Sequence, residues 1–303
     1  MPTICFLTST RGDPHNDNAT RLPAAWAAAG WSVRHADHDD IRLSGGQVWV
    51  ADDQPIEQFD LIWLLGLGAR VSFLDRMQLL LSVEPHRFVN TPHALLTQHA
   101  KYPLPLGPLA HHHPETYASR DPIWLRGIVE RGGDWIAKPS AASFGRDVYR
   151  LCGDDPNLAV ILNSLTGADG SQYCLLQRYI AEIRHGETRV LLSAGDIIGA
   201  YKRRPGSSHR ANLAGDGTAE TTELSADESA LARAVAAQLQ AHGVGFVAVD
   251  LAYPWIVEFN LANPGGLGTI ERLTGKDLAP AVVAALASRF TASRRQPEPA
   301  CRS

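Results

Sequence analysis

Three oxygen-bearing side chains near the end of the chain could do chemistry together. Asp250 interrupts an apolar run, FVAVDLA, while Glu258 and Asn260 stand two apart in the next run, IVEFN. Residues two apart on a strand point to the same face. Two carboxylates and an amide oxygen would therefore project from neighbouring strands, a hard donor set suited to magnesium carrying a polyphosphate. Any half-solvated strand face alternates in the same way, so the three residues alone leave both readings open.

Cations occupy the same half of the chain. Lys138 ends the apolar WIAK strand, and Arg189, the Lys202 to Arg204 run and Arg210 lie in or beside predicted antiparallel strands, where their charges could neutralise phosphate oxygens. Of the Arg203 and Arg204 pair, only one can face inward. The loop PSAASFGRD, which contains Ser143 and Gly145, offers small side chains and backbone N–H groups that could close over phosphates, although it holds a single glycine. After IVEFN, the segment Asn263-Pro264-Gly265-Gly266 reads either as a tight turn into a helix or as the wall of a substrate pocket. No convincing Ser/His/Asp or Cys/His set is present. Cys5, Cys152, Cys174 and Cys301 are widely spaced, which argues against a disulfide framework and a cysteine zinc site. Cys152 and Cys174 read as core residues, and the His111 to His113 run as a solvated turn.

The elements that must hold these residues follow from periodicity. Strands are expected at Thr3 to Thr8, Ser32 to Ala36, Gln47 to Ala51 and Asp60 to Leu65, separated by helical segments at Ala19 to Ala29 and Phe73 to Ser82. A short strand at Phe88 to Asn90 completes a parallel-sheet unit, and the Pro-rich stretch Tyr102 to Pro114 is a connection. The pattern then turns antiparallel: Trp135 to Pro139 with Val148 to Leu151, Tyr173 to Tyr179, Glu187 to Ser193 with Asp196 to Lys202, and Phe246 to Ala252 with Trp255 to Leu261. Helices are expected at Pro122 to Arg131, Asn157 to Leu165, from a capping box at Ser225 to Glu228 as far as His242, at Thr269 to Leu273, and at Ala279 to Arg289. The fold class is α/β with α+β character. Expected boundaries are an N-terminal unit over 1–101, a middle unit over 102–180, a C-terminal unit over 181–291 and a disordered tail over 292–303.

At 303 residues, with Lys+Arg 28 against Asp+Glu 32 and a net charge of -4, the chain has no general basic field for a nucleic-acid backbone. It contains no apolar run of about eighteen residues and its start lacks a secretory pattern, so a soluble, cytoplasmic protein without membrane contact is expected.

The order of motifs from Trp135 to Leu278 resembles the ATP-grasp ligases and, within them, the bacterial-type glutathione synthetases. It runs WIAKP, a small-residue loop, VYRL, YCLLQRYI, GETRV, HRANLAGDGTA, GFVAVDL and IVEFNLANPGGL. The resemblance implies ATP-grasp architecture: an N-terminal parallel-sheet domain, a small lid and a C-terminal antiparallel sheet. It also implies ATP with magnesium or manganese as cofactors. Lys101 and Lys138 then resemble the nucleotide-contacting lysines, with Ser143 and Gly145 in the phosphate loop. Gln177, Arg178, Tyr179 and Ile180 resemble the adenine hinge, and Glu187 the ribose partner. Asp250, Glu258 and Asn260 match the metal positions, and Arg210 with Asn212 the catalytic RxN motif. Arg189, Arg204, Asn263, Gly265 and Gly266 are the expected substrate contacts. The implied reaction activates a carboxylate as an acylphosphate for attack by an amine. Glutathione synthesis from gamma-glutamylcysteine and glycine leads, with another short-peptide or amino-acid ligase, such as a glutamate ligase, as the alternative. A non-catalytic nucleotide-binding regulator is the rival of a different class. The expected partners are small-molecule carboxylates and amines, with homo-oligomerisation open.

Overall fold

Alternation of apolar runs with helix-forming segments at the start of the chain builds a parallel sheet. In the computed structural model, which describes residues 1–9, 17–50, 54–99, 101–140, 147–167, 169–206 and 217–295, the chain begins with β1 (Thr3–Thr8), α1 (Asn18–Ala28) and β2 (Ser32–Asp37). Next come β3 (Arg42–Ser44), β4 (Gln47–Val50), β5 (Gln54–Pro55), β6 (Leu61–Leu64), α2 (Phe73–Leu80) and α3 (Pro92–Gln98). The parallel sheet has three strands in the order β2-β1-β6. The expected third strand, Gln47 to Ala51, is not part of it. It forms β4 of a separate antiparallel sheet, β3-β4-β5, because Arg42 to Ser44 turns back on it through Gly45 and Gly46, both at positive φ. The expected strand at Phe88 to Asn90 is reduced to two single bridges, Phe88 to Ile62 and Asn90 to Val244.

The middle of the chain follows as α4 (Pro103–Leu106), β7 (Thr116–Ser119), α5 (Pro122–Val129), β8 (Trp135–Pro139), β9 (Tyr149–Leu151), α6 (Leu158–Thr166) and β10 (Cys174–Arg178). Its antiparallel sheet has the order β7-β10-β8-β9, and a core of its own that includes Leu125, Trp135, Leu162 and Leu176. β7 was not legible as a strand: TYAS has little apolar alternation, and pairing with β10 is what extends it.

The last part contains β11 (Glu187–Ser193), β12 (Asp196–Arg204), β13 (Thr218–Thr221), α7 (Ala226–Ala241), β14 (Phe246–Ala252), β15 (Trp255–Asn260), α8 (Leu267–Thr274) and α9 (Ala279–Arg295). Its sheet has the order β13-β12-β11-β14-β15. The capping box ahead of α7 forms as expected between Ser225 and Glu228. α9 continues beyond the expected stop at Arg289 into the segment read as a tail; residues 296–303, with Cys301, lie outside the described residues.

The parallel sheet and the five-stranded sheet share their cores. Phe6, Trp26 and Trp63 of the first pack with Phe246 and Leu286 of the last part. Asn90 sits on this seam, fully buried. Its Nδ2 donates to the carbonyls of Phe246 and Leu261, both at 2.8 Å, and its Oδ1 accepts from the N–H groups of Gly245 and Phe246 at 2.8 and 2.9 Å. One amide therefore fixes the start of β14 and the exit of β15, the two strands that carry Asp250 and Glu258. Replacing Asn90 by Ala removes these bonds and leaves buried backbone groups unpaired, so we expect Asn90→Ala to lower unfolding free energy by about 3 kcal/mol, measured by chemical denaturation.

Candidate active site

Pairing across the five-stranded sheet collects charge on one face. In register, Tyr201 of β12 faces Arg189 of β11, Arg189 faces Asp250 of β14, and Asp250 faces Glu258 of β15; beside this row, Arg203 faces Glu187. Asp250 is completely buried, and Arg189 grips it in bidentate fashion, Nε to Oδ1 and Nη2 to Oδ2, both at 2.7 Å. Arg203 adds a second guanidinium at 2.7 Å from Oδ2 and also pairs with Glu187. Burial by itself would raise the Asp250 carboxyl, but the charges of Arg189 and Arg203 reverse that and hold it well below the usual carboxylate range.

Glu258 pairs with Lys101. Burial opposes ionisation of Glu258 too, and Lys101 and Lys138 outweigh both that and the repulsion of Asp250, lowering its pKa. The stability from these two carboxylates is present above their unfolded values of 3.8 and 4.5, and is lost as pH falls through the lower folded ones. Asn260 extends the face as expected, its Nδ2 3.3 Å from Asp250 Oδ2.

Lys138, at the end of β8, brings the middle sheet to this face. Its ammonium is buried and donates to Gln177 Oε1 at 3.0 Å. Burial, and then Lys101, lower its pKa to about 8 against the pull of Glu258. The Gln177 side chain, expected at an adenine hinge, is spent on Lys138 and on His113. The neighbouring hinge side chains turn outward: Arg178 lies over the Trp135 ring, and Arg150 lies over that of Tyr179. Ile180 is partly buried at the exit of β10.

Several expectations are corrected. Arg204 does not face the site. It is exposed and paired with Glu220 at 2.7 Å, because successive side chains of β12 alternate and Arg203 takes the inward position. The His111 to His113 run is no solvated turn: His113 is buried against the carbonyl of Ile256, and His112 bonds that of Pro254. Cys174 is core, whereas Cys152 is only partly buried. Ser143, Gly145, Arg210 and Asn212 lie outside the described residues.

The loop after β15 meets the N-terminal part of the chain. The buried Asn18 donates to Asn263 Oδ1 at 3.0 Å and to the Pro264 carbonyl at 2.9 Å, and the Gly66 N–H donates to Ala262. The Gly265 carbonyl accepts from Arg189. Gly266 caps α8 at φ 144, a conformation that favours glycine, and a Cβ there would meet the Tyr201 ring tightly at 3.0 Å. This loop therefore lies beside the C-terminal ends of the parallel strands, where open α/β sheets bind ligands. Sequence reading missed Asn18, which nothing local marks; of the Arg203 and Arg204 pair it took Arg204 as the substrate contact, whereas the register with Glu187 turns Arg203 inward.

One face thus gathers two carboxylates and an amide beside four cations, Arg189, Arg203, Lys101 and, from a second sheet, Lys138. Residues 104–275 match the family described as prokaryotic glutathione synthetase, ATP-grasp domain. A glutathione synthetase of Parasynechococcus marenigrum (strain WH8102) is 30% identical over 297 residues, covering 91% of this chain and 95% of the relative. That of Photorhabdus laumondii is 36% identical over 160 residues, but the match spans only 50% of its length. Among solved structures, the D-cycloserine synthetase DcsG superposes with a TM-score of 0.71 at 19% identity, covering 95% of this chain and 99% of that one. The protein is thus an ATP-grasp ligase. The chain belongs to the prokaryotic glutathione synthetase family, a membership that implies ATP and a divalent metal.

Asp250, Glu258 and Asn260 carry hard oxygens of the kind a divalent ion takes, but here both Asp250 oxygens are held by arginines and Glu258 by Lys101, and among the described residues no group of three His, Cys, Asp or Glu gathers. If Lys138, its pKa lowered to about 8 by burial and Lys101, contacts a bound nucleotide's phosphates, affinity for ADP should fall as pH rises from 8 to 10. Fluorescence titration checks this, and Lys138→Arg should remove the inflection.

Proposed function

We propose that the protein is a carboxylate–amine ligase that joins gamma-glutamylcysteine to glycine, using ATP with magnesium, or manganese in its place. The row Arg189–Asp250–Glu258, flanked by Lys101, Lys138 and Arg203, is the observation that carries this reading. ATP supplies the phosphoryl group that turns the carboxylate into an acylphosphate, which the amine then attacks to form an amide and release phosphate. Asp250, Glu258 and Asn260 would hold the metal. Lys101 and Lys138 would bind phosphate, and Glu187, here paired with Arg203, would meet the ribose.

The protein's part is positioning and electrostatics. Arg189 is tied to both Asp250 and the Gly265 carbonyl, which couples the metal face to the loop of Asn263, Gly265 and Gly266. That loop, braced by Asn18, is the proposed substrate wall. Arg210 and Asn212, carried over from the family resemblance, remain the proposed catalytic pair. The middle unit, bounded near residues 102 and 180, acts as the lid; the core of its sheet is its own, whereas Leu104 near its start packs in the core shared by the rest of the chain. No helix among the described residues is long and apolar enough to cross a membrane, and Cys5, Cys152 and Cys174 are unpaired, in keeping with a cytoplasmic place.

With magnesium and ATP, the purified protein should release ADP only when a carboxylate and an amine are both supplied, gamma-glutamylcysteine with glycine giving the fastest turnover of a dipeptide and amino-acid panel. A faster pair would reassign the substrate, and nucleotide binding without turnover on any pair would favour a regulator. Glu258→Gln should lower turnover at least about a hundredfold while circular dichroism stays unchanged.

A further inference from the structure

Outside the roles assigned above, one buried polar group faces the site indirectly. We propose that His113 is a positioning residue for Lys138, acting through the side-chain amide of Gln177, an inference that rests on reading Lys138 as a phosphate ligand.

The hydrogen bonds fix every orientation in turn. His113 Nδ1 lies 2.9 Å from the Ile256 carbonyl, which can only accept, so Nδ1 carries the proton. A neutral imidazole then presents a lone pair at Nε2, which lies 2.9 Å from Gln177 Nε2 and accepts from it. With its nitrogen committed to His113, and 3.3 Å from Thr116 Oγ1, the Gln177 amide turns its oxygen to the Lys138 ammonium at 3.0 Å. Reversing the amide would set donor against donor at Lys138 and acceptor against acceptor at His113. Burial keeps the imidazole neutral, with Lys138 and Lys101 adding to the effect against the pull of the Ile256 bond, so its pKa falls to about 4.

The consequence is a polar chain from β15 to the end of β8. Ile256 lies two residues before Glu258 on the strand that carries the proposed metal face, and Lys138 belongs to the other sheet. An ammonium on a flexible four-carbon stem has three N–H groups and little directional preference of its own. The fixed Gln177 oxygen takes one of them and leaves two to point at phosphate. The register of the lysine is thereby tied to the register of the metal face.

The test compares affinities for Mg-ADP by calorimetry. Asn at position 113 can keep a donor near the Nδ1 position but loses the acceptor at Nε2, whereas Gln can place an oxygen near Nε2. His113→Asn should weaken binding about tenfold, and His113→Gln should stay close to the parent. Lys138→Ala should weaken binding at least as much, and adding His113→Asn to it should cause no further loss, since the histidine acts through the lysine. If His113→Asn fails to fold, Gln177→Leu breaks the same chain one link nearer the lysine, with the same expected loss and the same absence of effect beside Lys138→Ala.

Parent-like affinity in His113→Asn or, where that variant does not fold, in Gln177→Leu would overturn the relay, as would losses that multiply in the double variant. Unchanged affinity in Lys138→Ala would instead overturn the reading of Lys138 as a phosphate ligand, separating that failure from failure of the relay.

Discussion

Two guanidinium groups closing on one fully buried carboxylate are the constraint on which the site depends. Asp250 could not remain ionised in an apolar strand alone, since desolvating a lone charge costs far more than a domain's stability margin. Arg189 and Arg203 make it tolerable, and each is held by a further partner, the Gly265 carbonyl for the first and Glu187 for the second. Removing one member of such a group leaves an uncompensated buried charge, typically a loss of about 3–5 kcal/mol. The arrangement is therefore fixed by folding, before any nucleotide arrives. It keeps oxygen donors and cations side by side, which is what a metal-bridged polyphosphate requires.

The division of the chain into sheets follows from where these charges must sit. The parallel and five-stranded sheets share apolar side chains, with Asn90 bonded across the seam, so β14 and β15 are held rigidly. The middle sheet has a separate core and reaches the face through Lys138 and His113. The proposed metal face is thus held rigidly, and the proposed phosphate lysine is carried by an independently packed sheet, an arrangement that would suit closure on a ligand.

Much of this was legible in the sequence where local pattern and final role coincide. WIAKP, YCLLQRY, FVAVDLA and IVEFN are strands because they are apolar and of strand length. Glu258 and Asn260 could be placed on one face from spacing, and Asp250 beside them once the two apolar runs were taken as neighbouring strands; their register is a feature of the folded sheet. What escaped depends on partners distant in the chain. TYAS becomes β7 only by pairing with β10, and Gln47 to Val50 joins a different sheet because Arg42 to Ser44 competes for its edge. Arg204 was placed inward because the parity of β12 cannot be read until one of its residues is anchored; Arg203 opposite Glu187 settles it. His113 looked like part of a polar turn, and nothing local reveals that Ile256 and Gln177 wait for it. The pairing of Asp250 with arginines from β11 and β12 likewise exists only in the folded sheet.

The central claim, that the β14 and β15 face grips a divalent ion together with nucleotide, is tested most directly by counting bound manganese by electron paramagnetic resonance with and without ADP. The account predicts that the parent protein binds manganese tightly only when ADP is present, and that Asp250→Asn, checked for folding by circular dichroism, loses this nucleotide-dependent binding. Manganese binding that ignores ADP, or that a folded Asp250→Asn retains in full, would contradict it.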